Sequence, residues 1–301
     1  MLVPVYNAAE FVESTIASVL EQTWTDLECI VIDDGSDVGT PDVLRTFGGA
    51  IRVVRQPNAG VAAARNRGVS EASGSLVAFL DADDLWRPTK LARQVAVADA
   101  RPDAGLVYTG FSIVDEQLRA RCDILPTPWA ERVIGVVSLS TYGIGFGATA
   151  LIPRRVLDQI GPFDERFSMA ADAEYVWRLS RRFDGVGINE ALVLYRQHAG
   201  QMHADLPTFE HDMSLLIDDA RRDGLDDATW RTGRANLETR LSFMSAAQRS
   251  PRAALTHAAR ALQRKPGCFV ALPIDAIRRR VARRVIRRWP LRPRSHPSIV
   301  A

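Results

Sequence analysis

Cysteine is scarce in this chain of 301 residues: Cys29, Cys122 and Cys268 are odd in number and far apart. They form neither a metal-ligand spacing nor a disulfide framework, so a reducing, cytoplasmic compartment is expected. No signal peptide is expected at this start, since MLVPVYNAAE has neither the charged nor the long apolar part of one. Long uncharged runs are nearly absent. The one of spanning length, Val133 to Pro153, is interrupted by Gly135, Gly143, Gly145 and Gly147 and by Ser138, Ser140, Thr141 and Thr149. That is too polar for a membrane helix and reads as loop and strand. Acid disappears from Ile277 onward, where nine arginines fall, so the overall +2 conceals a net −7 on the first 276 residues. An acidic body with a basic tail fits an anionic surface met by the tail alone.

What is present suits a soluble protein of one large domain plus an appendage, or of two domains: 47% apolar and 25% charged residues. The first 110 residues alternate in character. Apolar runs at Leu2–Val5, Leu27–Ile32, Ile51–Val54, Leu76–Leu80 and Gly105–Tyr108 predict strands. Helical spacing follows at Val12–Leu20, Val61–Ala72 and Thr89–Ala100. Asn7-Ala8-Ala9-Glu10 has the side chains of a capping box for the first helix. Such alternation predicts an α/β fold with a mainly parallel sheet covered on both faces, and ligands bind beyond the carboxyl ends of such strands. From Thr208 to Arg264 the chain reads as helix, punctuated by Pro251 and Pro266-Gly267.

Those carboxyl ends are acidic. Asp33-Asp34-Gly35-Ser36 follows one apolar run and Asp81-Ala82-Asp83-Asp84 another. Five clustered carboxylates repel unless something positive sits among them, and hard oxygen ligands at an open site suit Mg²⁺ or Mn²⁺ bridging to phosphates. Aspartate also favours turns after strands, which would account for Asp33 alone. Between the acids, Asn58-Ala59-Gly60-Val61 opens a helix whose small residues admit a ligand and whose N-terminus favours anions. Arg65 could face a diphosphate there, or be solvated on a helix packed against the sheet.

Taken in order, Pro4-Val5-Tyr6-Asn7-Ala8, Gln22-Thr23, Val31 to Ser36, Asn58 to Val61 with Ala64-Arg65-Asn66, and Phe79 to Asp84 resemble family 2 glycosyltransferases of the GT-A fold. The resemblance covers residues 1 to about 200 and implies a GT-A domain at 1–205, with a helical extension at 206–301. It implies an inverting transfer from a nucleotide diphosphate sugar, a UDP-sugar foremost. The backbone of Pro4, Val5 and Tyr6 and the side chain of Asp34 would hold the base. Asn7, Asn58, Gly60, Arg65 and Ala82 would serve the nucleotide sugar, with Asp81 near the ribose and Asp83 on the metal. Asp172, in Ala171-Asp172-Ala173-Glu174, matches the Asp of the family's Glu-Asp pair and would be the general base; Ala171 replaces the Glu. The same Asp172 could be a helix N-cap. His198 matches a position that may also reach the metal or the diphosphate. The Gln-x-x-Arg-Trp signature of processive synthases is absent, which implies single transfers, plausibly to a lipid-linked or cell-surface glycan precursor. The family's first strand usually begins several residues earlier, which would place the true start upstream of Met1.

The tail has its own pattern. Ile277, Val281, Val285 and Trp289 recur every four residues among arginines, as in a basic helix lying on an anionic membrane. A solvated tail is the plainer reading; nucleic-acid binding is not expected, because neither interleaved aromatics nor a nucleic-acid fold motif accompanies the arginines. Two other functions remain. A haloacid dehalogenase-type phosphatase would carry Asp-x-Asp on its first strand rather than after three others. A pseudo-transferase would bind nucleotide without turnover.

Overall fold

In the computed structural model, which describes residues 1–37, 39–140, 145–198 and 205–265, the chain opens with β1 (Leu2–Val5), α1 (Val12–Leu20), β2 (Ile30–Asp33), α2 (Thr40–Thr46), β3 (Arg52–Arg55) and α3 (Val61–Glu71). The three strands pair in parallel in that order. Their alternation decides the layering. Leu2, Ile30 and Ile32 join Ala62 and Ala64 of α3 in one core, while Val3, Val5 and Val31 join Val12, Ile16 and Val19 of α1 in another. With both faces covered, the strands read as continuous apolar runs.

The chain continues through β4 (Leu76–Ala78), β5 (Leu85–Trp86), α4 (Lys90–Ala100), β6 (Leu106–Val114), β7 (Ala120–Ile124), α5 (Trp129–Val137), α6 (Phe146–Thr149), β8 (Leu151–Pro153), α7 (Arg154–Ile160), α8 (Ala171–Ser180) and β9 (Gly185–Arg196). These strands order as β4-β8-β6-β9-β5, with β7 on β6. A parallel bridge from Leu2 to Phe79 joins them to the first three. Among the described residues of this half only the β6–β9 pair is parallel. The strand–helix rhythm lapses after Leu80: β5 follows β4 with no helix between, the two lying at opposite ends of the strand order, and β7 follows β6 directly because an antiparallel pair needs no crossover.

Two local expectations are corrected. The Val133–Pro153 run contains the end of α5, then α6 and β8, because Val133, Val136 and Val137 bury into the core from a helix. The capping box does not form: α1 starts at Val12 without a side-chain cap, and Asn7, at φ 49°, turns its amide elsewhere.

Three helices follow, α9 (Leu206–Arg222), α10 (Asp227–Ala247) and α11 (Pro251–Arg264). Asp205 and Asp226 cap the first two through the amides of Thr208 and Thr229. Leu216 and Ala220 of α9 lie in the same core as β1 and α3. Asp212, 1% exposed, accepts hydrogen bonds from the Ser168 and Ala170 amides (2.8 and 3.0 Å) at the entrance of α8. Among the described residues no helix is long and apolar enough to cross a membrane. The Ile277–Trp289 stripe lies outside the described residues.

Candidate active site

The ends of β1 and β2 are tied to each other and to the start of α3. Asn7 donates its backbone amide to Ser36 Oγ (3.0 Å) and accepts from the Asp37 amide (2.8 Å). Asp33 is buried, with Arg55 on one oxygen at 2.8 Å and the Ser36 amide on the other at 2.9 Å. Asp34 accepts from Gln56 Nε2 (2.8 Å) and from the Ala59 and Gly60 amides (both 2.9 Å). Three of its roughly four lone-pair directions are thereby taken. Gly35, at φ 81°, admits no side chain, since a Cβ would stand 2.8 Å from the Asn58 nitrogen. Pro4 and Val5 are buried, whereas Tyr6 is 54% exposed at the strand end, and Asn58 and Gly60 are exposed at the start of α3.

Arg65 reaches from α3 to the second acidic loop. It is 5% exposed and donates to Asp81 Oδ1 at 2.9 Å, while its buried Nε lacks a hydrogen-bond partner. The loop itself is held by Thr15 Oγ1 donating to the Ala82 carbonyl (2.9 Å). Across from it, α6 presents Gly147 so closely that a Cβ there would fall 2.1 Å from Asp81 Oδ2. Behind α6, Trp86 Nε1 and Gln94 Nε2 each donate at 2.7 Å to the carbonyls of Ala148 and Thr149.

Asp83 and Asp84 diverge. Asp84 is fully buried, and its Oδ1 accepts the Arg196 amide at 3.0 Å, which brings the end of β9 onto the acidic loop. Two residues later His198 Nε2 meets Asp83 Oδ2 at 2.9 Å, with the imidazole against Phe11. Burial raises the pKa of Asp83, Asp81 raises it further, and His198 lowers it. Burial, then Asp83 and Asp81, push Asp84 well above the carboxylate range. Carboxylates held this way favour an added positive charge. The Asp oxygen suits Mg²⁺ or Mn²⁺, which take few protein ligands when substrate phosphates complete the shell, and the imidazole nitrogen is better tolerated by Mn²⁺ than by Mg²⁺. Among the described residues no group of three or more His, Cys, Asp or Glu forms a full cage. The residues present fit the metal as a half-site.

Asp172 is not the N-cap. That position is Ala170, and Asp172 lies in the first turn of α8, its Oδ1 accepting the Ala173 amide at 2.7 Å. Burial raises its pKa, Arg65 opposes this, and Asp81 adds to the rise. Arg65, ion-paired with Asp81, is thus also the cation whose charge acts on Asp172. Glu174 is committed elsewhere, ion-paired with Arg178 in a cleft of about 450 Å³ between α8 and α9. Asp164, Arg166, Asp219 and Arg222 in that cleft are also paired.

The folded chain thus brings Arg65, Asp81, Gly147 and Asp172 together, and Asp83 with His198 beside them. Sequence reasoning missed Gly147, one of several glycines in its run, and Asp212, an unremarkable helix aspartate.

The profile of Glycosyl transferase family 2 matches residues 1–161. Over 200 residues the chain is 33% identical to TuaG of Bacillus subtilis, a protein named for teichuronic acid biosynthesis, covering 65% of this chain and 77% of TuaG. An uncharacterized glycosyltransferase of Rickettsia prowazekii is 28% identical over 204 residues, 67% of this chain. The chain spans less than two thirds of such Rickettsia relatives, 64% of that one and 37% of one from Rickettsia felis. Two solved structures share the fold. S. aureus TarS 1–349 in complex with UDP-GlcNAc gives a TM-score of 0.60 at 16% identity, covering 95% of this chain and 90% of that one. Mannosyltransferase PcManGT from Pyrobaculum calidifontis, in complex with GDP-Man and Mn²⁺, gives 0.58 at 22% identity, covering 96% and 86%.

Proposed function

The chain belongs to glycosyl transferase family 2 and has the GT-A fold, and from that premise we propose that it is an inverting, non-processive glycosyltransferase using a nucleotide diphosphate sugar. The observation that carries this reading is Arg65, buried and ion-paired with Asp81, whose charge also lowers the pKa of Asp172, near the Asp83–His198 pair. It joins a donor-binding acid to a proton acceptor across one small site.

In this reading Asp172 takes the proton of the acceptor hydroxyl as its oxygen attacks the anomeric carbon. A carbon–oxygen bond forms on one face of the sugar while the bond to the diphosphate breaks on the other, and the nucleoside diphosphate leaves with the bonding pair. Asp83 and His198 would hold Mg²⁺ or Mn²⁺, which as a Lewis acid supplies charge for the departing diphosphate. Pro4, Val5, Tyr6 and Asp34 frame the base, uracil foremost. Asn7, Asn58, Gly60, Arg65 and Ala82 would serve the nucleotide sugar, with Asp81 near the ribose. Residues 1–205 form the transferase domain and 206–301 its extension. The teichuronic acid biosynthesis for which TuaG is named supports an acceptor among cell-envelope glycan precursors, lipid-linked ones included. The Ile277–Trp289 stripe would bring the enzyme to the inner face of an anionic membrane.

A thermal-shift panel of nucleotide sugars with and without Mn²⁺ tests this, because a ligand that binds only the native state raises Tm. UDP-sugars should raise it in the wild type with Mn²⁺. Asp83→Ala should lose the metal-dependent part while keeping its own Tm. Phosphate release from simple phosphoesters would instead indicate a phosphatase, and donor binding without hydrolysis or transfer a pseudo-transferase.

A further inference from the structure

Between Glu238 and Asp275 the sequence contains no acidic residue, yet it carries Arg240, Arg249, Arg252, Arg260, Arg264 and Lys265. Most of this stretch is the hairpin of α10 and α11. The helices meet through buried Ala235 and Ala261, through His257 on Glu238 (2.7 Å), and through Ser242 Oγ donating to the Ala254 carbonyl (2.9 Å). At 3.6 residues per turn, the side of α11 opposite those contacts carries Arg252, Leu255, Ala259 and Leu262. All four are exposed; Leu255 is 72% exposed and Leu262 46%.

We propose that this outward face of α11 is a docking surface for an anionic membrane. The two leucines stand seven residues apart, two turns along one line, and an arginine shares their face. A helix of that kind lies flat at the headgroup boundary with its apolar line inward and its bases among the phosphates. Charge selects this partner over a second copy of the chain. A two-fold contact would set the acid-free, arginine-bearing strip against itself, whereas an anionic surface neutralises it. The acidic body would be repelled by that surface, so contact is confined to this end of the molecule. The proposal rests on the reading of the chain as an enzyme working at an anionic membrane; it would give the tail a folded platform but does not depend on the tail.

Sedimentation of the full chain with phosphatidylglycerol–phosphatidylcholine vesicles at low salt tests it. Leu255→Ser with Leu262→Ser should lower the partition coefficient about tenfold or more by removing the apolar line. Leu255→Trp with Leu262→Trp should raise it, and pure phosphatidylcholine vesicles should bind none of them. A third variant replaces Arg283, Arg284, Arg287 and Arg288 by Ser. If both leucine pairs partition like the wild type while the arginine variant is lost, the α11 proposal is overturned and the tail alone binds. If the serine pair is lost and the arginine variant binds normally, α11 stands and the tail reading falls. No sedimentation of the wild type overturns both. Dissociation of a wild-type oligomer by the serine pair, on a sizing column, would make the face a self-contact and overturn the membrane proposal.

Discussion

Asp172 has a charge environment that makes a measurable prediction. As the proposed base it works only when ionised, so kcat falls as pH drops through its pKa. Burial lifts that pKa above the ordinary aspartate value, and Arg65 holds it down. The acid limb of kcat should therefore lie above that of a solvated aspartate. At saturating donor, Arg65→Gln should move the limb to still higher pH. Asp172→Asn keeps the shape but cannot accept a proton, so kcat should fall by about 10²–10⁴-fold with donor Kd nearly unchanged. Stopped assays across pH and calorimetric donor titration check these outcomes, and near-normal turnover by the Asn variant would remove Asp172 from the chemistry. Glu174 then becomes a poor substitute, since Arg178 already occupies it.

At the level of elements, the site depends on one turn of helix. α6 spans only Phe146–Thr149, and Trp86 and Gln94 hold it from behind while Gly147 abuts Asp81. Gly147→Ala must displace either the turn or the carboxylate. Donor Kd should rise about tenfold or more, the equivalent of at least ~1.4 kcal/mol, with only a small loss of Tm. Unchanged donor affinity would show that Asp81 has room to move and that the contact is incidental.

This turn also marks where the sequence stops being legible. β1, β2, α1, α3 and α4 fall close to where apolar periodicity put them, because buried strands and amphipathic helices write their period into local residue order. The acidic strand ends were equally visible, and the family resemblance drew Asp172 in from the second half. What Asp34 holds was not visible, because its partners Gln56, Ala59 and Gly60 lie 22 to 26 positions away and only the sheet brings them near. The capping box at Asn7 failed for the same reason. A local partner was assumed, and Ser36 and Asp37 on the neighbouring strand end took its place. Short β5 and β8 gave too little pattern to reveal antiparallel pairing.

For the whole molecule, the helical region after residue 205 takes part in the site. Asp212 carries its negative charge to the entrance of α8, where it accepts two amides and complements the helix dipole, one turn from Asp172. Asp212→Ala leaves two amides with no carboxylate partner and should cost about 1–3 kcal/mol. A urea melt would register that loss, and kcat should fall more than donor affinity does. If kcat and stability both hold, α8 is fixed by its own packing.

That remote carboxylate bears on how such proteins diversify. If acceptor preference is to change by exchanging C-terminal segments between relatives, a recombination point near residue 205 would separate Asp212 from the amides it serves. A successful hybrid must import a segment with a matching acid at that height of its first helix, or else join beyond α9. The interval between Leu206 and Arg222 thus belongs, for grafting purposes, to the donor-binding half, and the exchangeable module begins at α10.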